Sequence, residues 1–175
     1  MLGHRMEQAI NEQIMHEIGS AYLYLSMAAD FDAKGLQGMA QWMKAQAQEE
    51  LGHALRFFHH ISERGGRAEL FAIDKPQKEW ESPLVAFRAV LQHEQFITGK
   101  IHDLVKTARE ENDIAAEIML QWFVTEQVEE EDSASSVVCR LERIGDSGHG
   151  LLMADRDLGQ RAAGSAVVGH EGEAK

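Results

Sequence analysis

The chain has 175 residues, 44% of them hydrophobic, which suits one compact domain with a sizeable core. Its 29 acidic residues against 17 basic ones leave a formal charge of -12, a field that attracts cations and argues against nucleic-acid partners. The single cysteine, Cys139, excludes an intrachain disulfide framework and a paired-cysteine zinc or rubredoxin-type site, and neither a signal-like N-terminus nor a run of about 18 apolar residues occurs, so a soluble cytoplasmic protein without membrane association is expected.

Stretches rich in Ala, Leu, Met, Gln and Glu, with Pro76 and Pro83 the only prolines, predict an all-α fold. A first helix is expected from about Met6 to Lys34, where Ile10, Ile14, Ala21, Tyr24 and Ala28 fall on one stripe, and Gly35 is a natural stop. Leu36 to about Arg64 forms a second, broken by Gly65-Gly66. Ser82 followed by Pro83 reads as an N-cap with proline at the first helical position. It opens a third helix with Phe87, Val90, Ile97, Ile101 and Leu104 on its stripe, ending near Asn112. Asp113 caps a fourth, which carries Leu120, Phe123, Val137, Leu141 and Ile144 up to Gly145, and a shorter fifth spans Ser147 to Leu158. Residues 1–162 are read as one domain and 163–175, with Gly164, Ser165, Gly169 and Gly172, as a mobile tail.

The four long helices, each of roughly 27 to 32 residues, are about 40 to 48 Å long. Short turns make the first and second, and the third and fourth, antiparallel hairpins. The link from Gly65 to Glu81 stretches to roughly 55 Å, enough for one long crossover that lets the second and third helices run parallel.

Carboxylates interrupt these stripes. Glu17 occupies a stripe step on the first helix and Glu94 on the third, while Glu50 and His53 lie between Met43 and Phe57, and Gln127 and Glu130 between Phe123 and Val137. Counting from the turns fixes their height: Glu17 lies 18 residues before Gly35, and Glu50 and His53 lie 15 and 18 after it. Around Asn112 the same spacings place Glu94, Gln127 and Glu130, so the two hairpins match at an offset of 77 (112 − 35). The six residues therefore meet at mid-bundle. Burying several carboxylates together costs several kcal/mol per ion, and leucine would serve stability better, so a bound cation is implied. One Glu from each of two helices plus Glu-x-x-His from the other two is the di-iron arrangement of ferritin-like bundles, a case the general rules for helix bundles already describe. Here one such motif is intact and the other reads Gln127-x-x-Glu130. Oxygen donors with one imidazole suit iron or manganese better than zinc.

From Met6 to Leu158 the helix lengths, the crossover and this residue set resemble bacterial non-haem ferritin. The resemblance implies a ferritin-like four-helix bundle with a short fifth helix and ferroxidase activity. One iron would be bound by Glu17, Glu50 and His53, with Glu50 bridging to a second held by Glu94 and Glu130. Gln127 would be a weak ligand or a hydrogen-bond partner, and Tyr24 would supply a hydrogen bond or an electron beside the centre. It further implies a third iron site from Glu49, Glu126 and Glu129, with Glu130 shared, although Glu129 to Asp132 also reads as a solvated acidic face. Fe2+ would be oxidised by O2 or H2O2 and stored as ferric mineral inside a 24-subunit shell whose fourfold axis is lined by the fifth helix. The residues do not identify a reductase or ferredoxin for iron release.

Rival readings are weaker. A haem-binding bacterioferritin would carry two intact Glu-x-x-His motifs and a methionine where Leu51 stands, so haem is not expected. A miniferritin would place its iron between subunits, and a rubrerythrin would need more cysteines than Cys139. A metal-free structural bundle is the alternative from a different class. His16 and His93 sit one residue off the stripe and carry no assigned role.

Overall fold

The computed structural model describes residues 1–160, and the expected tail at 163–175 lies outside them. Five helices follow in order: α1 (His4–Ala33), α2 (Gln37–Glu63), α3 (Pro83–Glu110), α4 (Ile114–Ile144) and α5 (Gly148–Leu158), with no strand among the described residues. The expected all-α bundle is the one observed, and its boundaries fall within a few residues of the sequence reading. None of these helices is long and apolar enough to cross a membrane.

Local chemistry sets the ends. Ser82 Oγ accepts from the Val85 amide at 3.2 Å ahead of Pro83, and Asp113 Oδ1 accepts from the Ala116 amide at 3.0 Å. Asp113 also receives both guanidinium nitrogens of Arg64, at 2.9 and 3.0 Å, which ties the end of α2 to the start of α4. The two hairpin turns share one construction. Gly35 and Asn112 adopt φ of +77° and +54°, and the next residue closes back on the helix, Leu36 N to Phe31 O at 2.9 Å and Asp113 N to Ala108 O at 2.8 Å. The offset of 77 in the sequence is thus an offset between equivalent turns.

The crossover runs along α1. Asn11 holds its start by donating to Arg67 O at 3.1 Å and accepting from Glu69 N at 2.8 Å. Asp30 holds its end by accepting from the Trp80 amide at 3.2 Å, with Lys34 donating to Trp80 O. Trp80 itself is buried in the core.

Two apolar clusters fill the bundle. One gathers Tyr24, Phe31, Met39, Met43, Phe87 and Leu141, the other Ile10, Ile14, Phe57, Ile97, Leu120 and Phe123. The N-terminal halves of α2 and α3 both join the first cluster and their C-terminal halves the second, so these helices run parallel, as the long crossover requires. On each long helix the residues between the clusters include the buried carboxylates, which places the polar layer between two oily ends.

Helix α5 is seated on α2, which begins without a side-chain cap of its own. Asp155 of α5 supplies one, accepting from the Met39 amide at 2.8 Å. Gly38 makes the approach possible, because a Cβ there would stand 1.7 Å from Asp155 O. Gly38→Ala should therefore dislodge α5 while leaving the four-helix core intact. Hydrogen exchange should rise across residues 148–158 with helical content from α1 to α4 retained, whereas unchanged protection there would refute this account of the seat.

Candidate metal centre

Each of the four long helices contributes to the layer between the clusters: Glu17 from α1, Glu50 and His53 from α2, Glu94 from α3, Gln127 and Glu130 from α4, with Tyr24 of α1 bordering it from the first cluster. None is more than 7% exposed. The three-residue spacing on α2 puts Glu50 and His53 one turn apart on its inward face, and His53 Nδ1 lies 3.4 Å from Glu50 Oε2 and 3.9 Å from Glu17 Oε2. One ligand atom from each of Glu17, Glu50 and His53 lies within 4.8 Å of the others, and this is the group at metal-binding spacing among the described residues. Glu17 Oε2 is buried with no hydrogen-bond partner, which fits an oxygen kept for a cation.

The other half of the layer is held by hydrogen bonds. Tyr24 OH donates to Glu94 Oε1, and the Gln127 amide nitrogen donates to Glu94 O at 3.2 Å and Oε2 at 3.3 Å. Gln127 also donates to Thr98 Oγ1 at 3.3 Å, while the Thr98 hydroxyl gives its own proton to Glu131 Oε1 at 2.6 Å. That hydroxyl can therefore only accept from Gln127, which fixes the amide nitrogen on the Glu94 side. Gln127 thus bonds to both Glu94 and Thr98. Glu130 Oε2 accepts from Gln46 at 2.8 Å.

Sequence reasoning missed Gln13 and Gln46. Gln13 donates to Glu17 Oε1 at 2.8 Å, and both glutamines are buried. The signal was present: each stands one turn before a buried glutamate, on the same stripe. His93, left without a role, binds Ser20 Oγ through Nε2 at 2.7 Å and meets the Tyr24 ring edge-on at 5.9 Å. The Ser20 hydroxyl proton goes to His16 O at 3.0 Å, so His93 is the donor in that pair.

Glu49, Glu126 and Glu129 lie on the α2 and α4 side, with Glu126 buried, Glu49 half-buried and Glu129 exposed. Burial raises the Glu126 pKa, helped by the charges of Glu129 and Glu49.

Burial also dominates the electrostatics of the centre. It pushes the Glu17 and Glu50 carboxyls well above the usual range, with the charge of Glu50 adding to the rise at Glu17 and that of Glu94 to the rise at Glu50. Glu94 is raised to about 7, although the bonds from Tyr24 and Gln127 favour its charged form. Tyr24 is held well above its ordinary value by burial and then by Glu94. Burial and the nearby His16 lower His93 to about 4, so it is neutral at pH 7. Protons are thus the counter-ions of this layer until a cation replaces them.

A bundle with one long crossover and a carboxylate and histidine group at its centre defines the ferritin-like class, and residues 7–144 match the family model described as a ferritin-like domain. The chain belongs to the bacterial non-haem ferritin family. It is 42% identical to a bacterial non-haem ferritin of Bacteroides fragilis over 92% of this chain and all of that one, and 38% identical to a probable bacterial non-haem ferritin-like protein of Haemophilus influenzae over 91% and 96%. Among solved structures it superposes on the open-pore ferritin of Archaeoglobus fulgidus with a TM-score of 0.92 at 49% identity, over 93% of this chain and 100% of that one. A humanized archaeal ferritin gives 0.92 at 51% identity over 93% and 99%.

The raised carboxyl pKa values carry a sign for stability. A group that binds protons more tightly in the folded than in the unfolded chain loses stabilising effect as pH rises through its folded value. His93, lowered from 6.5, works the other way but only below about 6.5. Between about pH 6.5 and 8, therefore, the melting temperature of cation-free protein should fall as pH rises. Glu17→Gln should flatten that slope. A melting temperature that climbs over this window would contradict the assignment.

Proposed function

We propose that this chain is the subunit of an iron-storage protein that oxidises Fe2+ to Fe3+ at a carboxylate-bridged di-iron centre. The observation that carries the reading is the buried convergence of Glu17, Glu50 and His53, where an apolar bundle would be more stable, together with an unpartnered Glu17 oxygen. In this reading Glu17, Glu50 and His53 hold one ferrous ion, and Glu50 bridges to a second held by Glu94 and Glu130. Gln127 orients Glu94 rather than ligating strongly. Glu49, Glu126 and Glu129 form a further iron-binding group on the route out, with Glu130 shared. The iron is substrate and cargo here, and haem has no role.

Each ferrous ion gives up one electron, and the pair reduces O2 to H2O2, or H2O2 to two waters, with uptake of two protons. The protein's part is to bring two cations together, exclude bulk water and exchange protons for metal at Glu17, Glu50 and Glu94. Tyr24, bonded to Glu94 and raised well above its ordinary pKa, keeps its proton and steadies that carboxyl. Residues 1–162 act as one domain, assemble into a hollow 24-subunit shell in the cytoplasm and deposit ferric mineral in its cavity. The Bacteroides fragilis and Archaeoglobus fulgidus ferritins support the storage reading by similarity.

Aerobic addition of Fe2+, followed by ferric absorbance and sedimentation together, tests this. Rapid oxidation and retention of iron in a large particle is expected. The double variant Glu50→Ala with His53→Ala should oxidise the first ferrous ions about 100-fold more slowly, corresponding to loss of about 2.7 kcal/mol of transition-state stabilisation. Oxidation at the wild-type rate in that variant would return the chain to a structural role.

A further inference from the structure

Gln46 is buried more completely than any carboxylate of the centre, at 0% exposed. It lies one turn before Glu50 on the inward stripe of α2, and its Nε2 reaches across to α4 to donate to Glu130 Oε2 at 2.8 Å. Its other polar atom, Oε1, is buried with no hydrogen-bond partner. Buried amide oxygens are rarely left so, because the group gave up its water on folding.

Packing does not call for an amide at this depth. The offset of 77 that relates the two hairpins takes position 46 to Phe123, an apolar residue buried in the core. The neighbours of Gln46 on its own stripe, Met43 and Ala47, are apolar and buried as well. A methionine at 46 would fill similar space and leave no polar atom without a partner. What Gln46 does that methionine does not is grip Glu130 and present an acceptor inside the layer. Any donor N–H or O–H would satisfy that acceptor, and a hydrated divalent cation brings O–H donors with it.

We propose that Gln46 is a positioning residue for the second cation, holding Glu130 through Nε2 and offering Oε1 to a water that arrives with the ion. The inference rests on the ligand assignment given under Proposed function. It separates the two halves of the centre: Glu17, Glu50 and His53 converge without any bond from Gln46, so the first cation position does not depend on it.

Anaerobic calorimetric titration of the full chain with Fe2+ tests this. Wild-type protein should take up a first and a second ion per chain. In Gln46→Met the first should bind with unchanged affinity and the second roughly 10- to 100-fold more weakly, the usual cost of losing a group that orients a metal ligand. Gln46→His, which restores an N–H donor, should recover part of that loss, a rescue that a purely space-filling role would not show. Should Gln46→Met fail to fold, Gln46→Leu carries the same comparison. Wild-type affinity for both ions in the apolar variant would overturn the role of Gln46 alone. Equal weakening of both ions with helicity intact would overturn it too. If wild-type protein bound no such pair, or Glu50→Ala bound it equally well, the ligand assignment would fail and this inference with it.

Discussion

Four carboxyl groups, Glu17, Glu50, Glu94 and Glu130, share the middle of a helical bundle where little water screens them. Their mutual repulsion and lost hydration work against folding, and much of the structure can be understood as the means of tolerating them. The apolar core divides into two clusters, one at each end, so that each long helix is anchored on both sides of the polar layer. The ends are then tied from outside: Arg64 to Asp113, Asp30 and Lys34 to Trp80, Asp155 to the start of α2. A bundle built with an apolar middle would not need the polar groups that surround this one. This one holds a high-energy layer in place by stability gathered elsewhere, which is what a site prepared for cations requires.

The two halves of that layer are prepared differently. On the α1–α2 side, Glu17, Glu50 and His53 already converge, and Gln13 is the amide that steadies Glu17. On the α3–α4 side, Glu94 and Glu130 are engaged by Tyr24, Gln127 and Gln46. The internal repeat explains how this arose physically. The turns at Gly35 and Asn112 are equivalent, and so are Glu17 and Glu94, but His53 is matched by Glu130 and Glu50 by Gln127. One half therefore carries an imidazole beside its carboxylates, whereas the other carries an amide whose nitrogen bonds Glu94.

Much of this was legible in the sequence because it depends on period and distance along helices. Stripe position, the Ser82-Pro83 start, the Gly35 stop and the length of the Gly65–Glu81 link determine which residues share a height, and Glu17, Glu50, His53, Glu94, Gln127 and Glu130 do share one. What could not be read was contact between helices. Whether Gln127 faces Glu94 with nitrogen or oxygen depends on where Thr98 sends its proton, and that depends on Glu131 across the α3–α4 interface. Gln46 and Gln13 stand on the inward stripe in sequence, but only the packing shows that Gln46 reaches across to Glu130. The seat of α5 on Gly38 was equally hidden, because a glycine within a helix says nothing about which backbone approaches it.

The most direct test of the central claim is anomalous diffraction at the iron edge from crystals soaked with Fe2+ without oxygen. The account predicts two neighbouring peaks inside each bundle, one against Glu17, Glu50 and His53, the other against Glu50, Glu94 and Glu130. Peaks confined to surface carboxylates, with the mid-bundle layer free of iron, would contradict it.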